Sequence, residues 1–299
     1  MINALSIVLP AKNEASGLSV TLPEIRRLHP EAEIIVVDDG SDDETASIAG
    51  SVKDVIVVKH PVSIGNGGAV KSGARAASGD VIVFMDADGQ HKPQDISRLL
   101  ALINQGFDLV VGARGRESQA SWGRSIANKT FNTLASWMTG FEIQDLTSGF
   151  RAVRRDKFLS ILYLLPNKFS YPTTSTMAFF KSGYFVGYVP IKALKREGKS
   201  HIRVFHDGIR FLIIILKIGT LFSPMRLFLP ISVLIFYTAT LYYLYTFSSS
   251  GRFTNMGVLL YIASLLVFLM GILSEQISSL HYRGTGKPTD RKSLTEKQP

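Results

Sequence analysis

The sequence predicts an α/β protein: a mostly parallel sheet, then an amphipathic helix and two transmembrane helices. Two observations carry this reading. From the first residues to about residue 190, short β-branched runs alternate with helical or loop stretches, as in a sheet whose parallel strands are joined by crossovers. After Asp207 the composition shifts abruptly to long apolar segments almost free of charge.

Taken in order, Met1 to Asn13 alternates like a strand and has no basic region leading into a long apolar core, so it does not read as a signal peptide. The N-terminus is therefore expected to stay in the cytoplasm. The strands are expected at Ser6 to Leu9, Glu33 to Val37, Val55 to Lys59, Val81 to Met85 and Asp108 to Val111. No repeat of 20 to 50 residues recurs, and no low-complexity tract precedes the C-terminal tail. Around the apolar run Phe211 to Leu216, Arg203, Asp207, Arg210 and Lys217 fall at helical spacings. At about 14 residues, Asp207 to Thr220 is too short to cross a bilayer and is expected to lie in its interface. Pro224 to Phe247 holds one charge, Arg226, and Met256 to Leu273 holds none, each near the roughly 20 residues a span needs. A pair of buried core helices is the alternative; the Tyr242, Tyr243 and Tyr245 cluster favours spanning. The link Ser248 to Asn255 holds only Arg252, whereas the tail from His281 carries five Lys/Arg against Asp290 and Glu296. Positive-inside then places the tail, and with it the N-terminal domain, in the cytoplasm. The expected division is a catalytic domain over 1–205, an interfacial helix over 206–222, spans at about 224–247 and 256–275 within 224–280, and a basic tail over 281–299.

Composition narrows the function classes. With 46% hydrophobic residues the chain is not disordered, and with no cysteine it has neither a disulfide framework, a thiolate metal site nor a cysteine nucleophile. Thirty-three Lys+Arg against 24 Asp+Glu give a net +9, which suits nucleic acid, anionic lipid or phosphorylated substrates equally. Seven Lys/Arg and two acids between Lys192 and Lys217 concentrate the excess beside the apolar segments, which favours lipid and argues against a nucleic-acid partner.

Open α/β sheets bind ligands at the carboxyl ends of their strands. Three of those ends are unusually polar: Pro10-Ala11-Lys12-Asn13-Glu14, Asp38-Asp39-Gly40-Ser41 and Asp86-Ala87-Asp88-Gly89-Gln90. Each alone also suits a turn or a helix N-cap. In an extended chain, however, Asp86 and Asp88 project on one side and can converge on a divalent ion, with Mg²⁺ or Mn²⁺ the hard cations that suit carboxylates and phosphates. His91 reads as a lone surface residue rather than a ligand. Ser63 to Ala69 is glycine-rich without a clean G-x-G-x-x-G, and Gly198-Lys199-Ser200 ends like a P-loop but has Ala193 where the leading glycine belongs.

Together Ile7 to Glu14, Val36 to Asp43, Asp86 to Gln90, Thr147-Ser148-Gly149-Phe150-Arg151 and Arg196-Glu197-Gly198-Lys199-Ser200 resemble the ordered motif set of the family 2 glycosyltransferases. Within it, residues 4 to 220 most resemble polyprenyl-phosphate sugar transferases of the dolichol-phosphate mannosyltransferase kind. The resemblance implies a GT-A nucleotide-sugar-binding fold. It implies that Pro10, Ala11, Asn13, Glu14, Asp39, Lys71 and Asp86 bind the donor, with Asp39 on base or ribose, and that Asp86, Asp88 and Gln90 hold the metal. Arg114 resembles the family's Gly-x-Arg, and Arg124 and Asn128 match its acceptor-phosphate region in spacing. Asp145, Ser148 and Arg151 are implied to border the acceptor, and Arg196, Lys199 and Ser200 to form a loop closing over the donor. The implied catalytic set is Asp88, Arg114, Arg124, Asp145, Ser148 and Arg196; the acceptor set is Arg124, Asn128, Ser148, Arg151, Lys199 and Ser200. Two positions depart from the pattern: Ser63 replaces an Asn before the glycine loop, and His201 replaces a Lys.

The implied reaction takes a hexose from a UDP- or GDP-sugar to a polyprenyl phosphate on an integral membrane protein, at the plasma membrane in a prokaryote; a homo-oligomer is compatible with it. A lipid monophosphate, with its second pKa near 6, is already largely dianionic at neutral pH and needs no general base, so what the protein must supply is charge compensation. A processive polysaccharide synthase is one alternative, although neither Trp122 nor Trp137 follows an Arg as its Gln-x-x-Arg-Trp signature requires. A membrane-anchored binding protein that has lost catalysis is the other.

Overall fold

In a computed structural model, residues 2–114, 132–167, 171–192 and 219–282 are described. The strands are β1 (Leu5–Ala11), β2 (Glu33–Asp38), β3 (Val55–Lys59), β4 (Val81–Phe84), β5 (Leu109–Arg114), β6 (Arg151–Arg154) and β7 (Val186–Ile191). Seven strands form one sheet in the order β3-β2-β1-β4-β6-β5-β7. All neighbours are parallel except β6, which runs antiparallel to both β4 and β5. The mostly parallel α/β sheet read from the sequence is therefore the one observed.

The β-branched centre of the sheet is fully buried, with Ile7 beside Ile34 on one flank and Val83 on the other. Such strands, covered on both faces, read as continuous apolar runs. The helices α1 (Ala15–Leu28), α2 (Thr45–Ser51), α3 (Asn66–Ala76) and α4 (Asp95–Asn104) follow the first four strands. Leu18, Leu22 and Ile25 of α1, and Ile96, Leu99 and Ile103 of α4, are buried at helical spacing. Helix α3 achieves a closer approach with small residues: a Cβ on Gly73 would stand 2.3 Å from Val8 Cγ1. Further along, α5 covers 132–139, α6 is Arg155–Ser160 and α7 is Tyr171–Lys181.

Parallel strands place all their carboxyl ends on one edge of the sheet. There the segments after β1, β2 and β4 meet, and Arg114, the last residue of β5, reaches the same edge. Because β6 runs in reverse, the turn that precedes it, Asp145 to Phe150, arrives at the same edge.

A second compact unit, from His201 onward, contains α8 (Pro224–Ser250) and α9 (Asn255–Tyr282). Both run past the bounds expected from apolarity, since the terminal serines and Glu275 to Leu280 remain compatible with a helix. Ser232 and Ser264 exchange hydroxyl-to-carbonyl hydrogen bonds of 2.9 Å, and Gly251 closes α8 at φ 62°. Mean hydropathy over their best windows is 1.8 and 2.5, and Leu234, Leu241 and Leu273 are more than 60% exposed. These are not core helices of this unit. They are two candidate membrane spans, long and apolar enough to cross a bilayer. The interfacial segment 206–222 lies outside the described residues up to 218, and the tail does so from 283.

Candidate active site

The sheet edge opens into a cavity of about 390 Å³ lined by Pro10, Ala11, Lys12, Glu14, Asp39, Ser63, Gly65, Asn66, Ala69, Asp86, Ala87 and Asp88. Three polar segments singled out from the sequence thus form one wall set. The fourth contributor is the glycine-rich stretch Ser63 to Ala69, whose failure to match a dinucleotide fingerprint concealed its role. The signal that would have found it was local: a glycine, Gly65, immediately ahead of a helix whose first turn carries Gly67 and Gly68; Gly65 adopts φ 100°.

The first two loops are interlocked. Asn13 Oδ1 accepts from the Asp42 amide at 2.9 Å, its own amide donates to Ser41 Oγ at 3.0 Å, and the Glu14 amide donates to Thr45 Oγ1 at 3.0 Å. Asn13 therefore holds the two loops together and does not line the cavity, whereas Pro10, Ala11 and Glu14 do. Lys71, expected on the donor, instead donates to the Leu165 carbonyl at 2.9 Å, and burial holds its ammonium below the usual lysine range.

Asp39 is 4% exposed and spends both oxygens on its surroundings. Oδ1 faces His60 Nδ1 at 2.7 Å and the Ile64 amide at 3.0 Å; Oδ2 accepts from Ser63 Oγ at 2.7 Å and the Gly65 amide at 2.8 Å. Burial pushes this carboxyl up, but the His60, Ile64, Ser63 and Gly65 hydrogen bonds outweigh it and hold Asp39 below the ordinary aspartate range. Ser63, the departure from the family pattern, is thus a donor in this network.

Asp86 is different. Its side chain is 35% exposed towards the cavity, and the contact recorded for it among the described residues is His91 Nε2 at 3.4 Å. Burial raises its pKa, but the His91 contact and the charges of His91, Arg114 and Arg151 prevail and keep it ionised well below neutrality. His91 is itself only 6% exposed, stacked on Phe150 at 5.0 Å; the surface placement expected for it is overturned, because its ring packs on Phe150 while its Nε2 edge meets Asp86. Gly149 closes the other side, where a Cβ would stand 2.7 Å from Asp86 Oδ2. The Asp88 carboxylate accepts from the Gln90 amide at 3.1 Å in a turn through Gly89, at φ 72°.

Behind this pair, Arg114 grips Asp145 with Nε at 2.8 Å and Nη2 at 3.0 Å, and Nη2 also reaches Thr147 Oγ1 at 2.6 Å. Asp145 further accepts from the amides of Thr147 and Ser148, so it fixes the turn that carries Gly149. The structure places Arg151 beneath the site rather than on it. It is fully buried, donating to the carbonyls of Ser148 and Pro172 and to Ser175 and Thr176, with Tyr171 5.6 Å away under its guanidinium. A side chain so enclosed cannot meet an acceptor directly. Ser148 is also buried, and its hydroxyl finds no partner among the described residues. Arg124, Asn128, Arg196, Lys199 and Ser200 lie outside the described residues.

Two carboxylates offer hard oxygens at the cavity floor, Asp86 with lone pairs free of strong donors, and this fits a divalent cation of the Mg²⁺ or Mn²⁺ type. Among the described residues no group of three or more His, Asp or Glu forms a self-sufficient cage. Such a pair suits an ion that completes its coordination on phosphate oxygens and water.

Comparison with known proteins agrees with this geometry. The profile described as Glycosyl transferase family 2 matches residues 6–162, and one described as GtrB C-terminal hairpin matches 223–280. The chain is 33% identical over 205 residues to a polyprenol monophosphomannose synthase of Mycolicibacterium smegmatis, covering 64% of this chain and 77% of that one. An undecaprenyl-phosphate mannosyltransferase of Micrococcus luteus is 32% identical over 207 residues, covering 64% and 83%. An undecaprenyl-phosphate 4-deoxy-4-formamido-L-arabinose transferase of Proteus mirabilis is 37% identical over 163 residues, covering 52% of this chain; the match spans half of that relative's length. Among solved structures, glucosyl-3-phosphoglycerate synthase from Mycobacterium tuberculosis, in complex with Mn²⁺ and UDP-glucose, superposes with a TM-score of 0.57 at 23% identity over 72% of this chain and 78% of that one. That likeness establishes the fold.

Proposed function

The chain belongs to glycosyl transferase family 2, and from that premise we propose that it transfers a hexose from a nucleotide-diphosphate sugar to a polyprenyl monophosphate. The observation that carries the reading is the Asp86 and Asp88 pair at the floor of a cavity walled by the Pro10 to Glu14 strand end and the Asp39-bound loop. It is supported by relatives that are polyprenyl-phosphate sugar transferases over most of their length, and by two apolar C-terminal helices suited to anchoring an enzyme with a lipid substrate. The charge pattern supports a catalytic domain over 1–205 and a tail over 281–299 on the cytoplasmic side.

In this reading the donor lies in the cavity with its diphosphate towards Asp86 and Asp88, which would hold Mg²⁺ or Mn²⁺ with Gln90 nearby. When bound, the ion supplies positive charge to the leaving diphosphate. An oxygen of the lipid phosphate attacks the anomeric carbon, the bond from that carbon to the diphosphate breaks, and nucleoside diphosphate departs with inversion. No side chain need remove a proton, because the phosphate arrives ionised. The chain's own contribution is placement and charge: Arg114, held by Asp145, lends a cation beside Asp86, and Arg124, Asn128, Lys199 and Ser200 would serve the acceptor and Arg196 the catalytic step, as the family resemblance implies.

The test is transfer of labelled sugar from a panel of UDP- and GDP-hexoses to undecaprenyl phosphate by purified protein in detergent, with and without Mn²⁺. A metal-dependent, mild-acid-labile glycolipid from one donor is expected. Nucleotide binding without transfer from any donor would overturn the lipid acceptor.

A further inference from the structure

His60 stands just past the end of β3, outside every motif that carries the family resemblance, and its ring is nearly enclosed. Nδ1 meets Asp39 Oδ1 at 2.7 Å and Nε2 meets Ser72 Oγ at 2.8 Å. A carboxylate only accepts, so Nδ1 carries the proton and, in the neutral ring, Ser72 donates to Nε2. The imidazole thereby ties α3 to Asp39, and Asp39 in turn holds Ser63, Ile64 and Gly65 by their hydroxyl and amides. Those residues lead into the amino end of α3, where Gly65, Asn66 and Ala69 line the cavity.

With four hydrogen bonds on two oxygens, Asp39 has no lone pair left to spend on a ligand without releasing one of these partners. Asp39 lines the cavity itself, and the shape of the neighbouring wall depends on the loop it holds. The orientation of that loop then depends on what orients Asp39 from behind, and His60 is the side chain that does so.

We propose that His60 is a positioning residue for the nucleotide donor: it fixes Asp39, which holds the Ser63 to Gly65 loop in the shape the donor requires. This rests on the donor-binding reading of the cavity. It does not touch the reacting atoms, so its signature is selective.

The experiment compares full-length His60→Asn, His60→Gln and His60→Ala with wild type in detergent. An Asn amide can stand where Nδ1 stands and keep the bond to Asp39; a Gln amide stands nearer Nε2 and keeps the one to Ser72. Three readouts are taken: UDP and GDP binding by calorimetry with Mg²⁺, the KM for donor and for undecaprenyl phosphate, and hydrogen exchange of peptides covering residues 61–70. His60→Ala and His60→Gln are expected to raise the nucleotide Kd and donor KM by about tenfold or more, speed exchange in that peptide, and leave the acceptor KM unchanged. His60→Asn is expected to stay within about threefold of wild type. The proposal is overturned if His60→Ala keeps the wild-type donor KM, whether or not its melting temperature falls, or if His60→Asn is as impaired as His60→Ala. Wild-type protein that binds neither nucleotide would remove the donor-site reading itself, and the proposal with it, an outcome visible before any variant is made.

Discussion

Gly149→Ala is a perturbation whose size can be worked from the structure. A Cβ at this position would lie 2.7 Å from Asp86 Oδ2, 2.8 Å from Oδ1 and 3.1 Å from Cγ, whereas ordinary contact begins at 3.4 Å. The backbone of Gly149 is not in the left-handed region, so its φ does not itself exclude alanine and the contact with Asp86 sets the cost. Asp86 must therefore retreat by about 0.7 Å or turn by about 30° off its rotamer, at about 1 kcal/mol. For a domain of this size that lowers Tm by about 2–4 °C. The functional cost is larger, because a misplacement approaching 1 Å costs about 10²-fold in a positioned reaction. The expected result is a folded protein whose kcat/KM for sugar transfer falls by about 10- to 100-fold, measured over a Mg²⁺ titration alongside thermal unfolding. Wild-type kcat/KM in a folded Gly149→Ala protein would refute the assignment of Asp86 to the donor diphosphate.

Other outcomes follow from the same geometry. Asp88→Ala should melt within about 2 °C of wild type, yet lose about 100-fold or more in kcat with Mg²⁺ or Mn²⁺; full activity would exclude it from the metal pair. Arg114→Ala removes the bidentate partner of Asp145 and should cost about 2–3 kcal/mol at pH 7 by chemical denaturation. Burial raises the pKa of Asp145 and the Arg114 hydrogen bonds and charge lower it further than that, so its folded pKa lies below the unfolded value of about 3.9. The pair's contribution is thus fully present above about pH 4 and lost as pH falls through the folded pKa, and Arg114→Ala should shift the acid-unfolding midpoint to higher pH. Arg151→Lys cannot reach the Ser148 carbonyl and the Pro172, Ser175 and Thr176 acceptors at once, and should lower stability by about 2–3 kcal/mol while leaving the KM for polyprenyl phosphate unchanged; a raised KM at unchanged Tm would put Arg151 back on the acceptor.

The strands that were legible in the sequence are those with an uninterrupted β-branched run: the parallel strands β1, β2, β4 and β5, nearly all of whose residues are buried, and the half-exposed edge strand β3, whose Val-Ile-Val-Val run is equally continuous. β6 and β7 were not. Arg151-Ala152-Val153-Arg154 is short and charged at both ends, and Val186–Ile191 contains Gly187 and Pro190, which read as breakers although the strand pairs on one side with β5. At the site, the motif segments could be read because parallel topology gathers strand ends whatever their separation in the chain. What each side chain does there could not. Asn13, Lys71 and Arg151 carry the right chemistry for ligands, but each is committed to a backbone or loop partner far away in sequence, and nothing local marks such a commitment. His91 misled for the same reason: its burial depends on Phe150, 59 positions on.

Three aspartates at this edge, Asp39, Asp145 and Asp86, differ in how many donors they already hold. Asp39 receives four hydrogen bonds and Asp145 is met by Arg114, Thr147 and Ser148 together, so both are saturated and act as fixtures, Asp39 in the cavity wall and Asp145 behind it. Asp86 is held ionised by neighbouring charge yet has one long contact with His91 among the described residues. A carboxylate that is charged, one-third exposed and short of donors in a concave site costs free energy unless something positive comes to it. The two saturated aspartates shape that setting: one fixes the loop that shapes the cavity, the other fixes the turn that sets Gly149 against Asp86 and the Arg114 guanidinium that, after His91, helps to hold Asp86 ionised. The division explains why similar Asp-containing turns after successive strands have different work, and it marks the Asp86 carboxylate as an oxygen pair suited to a partner supplied from outside the protein.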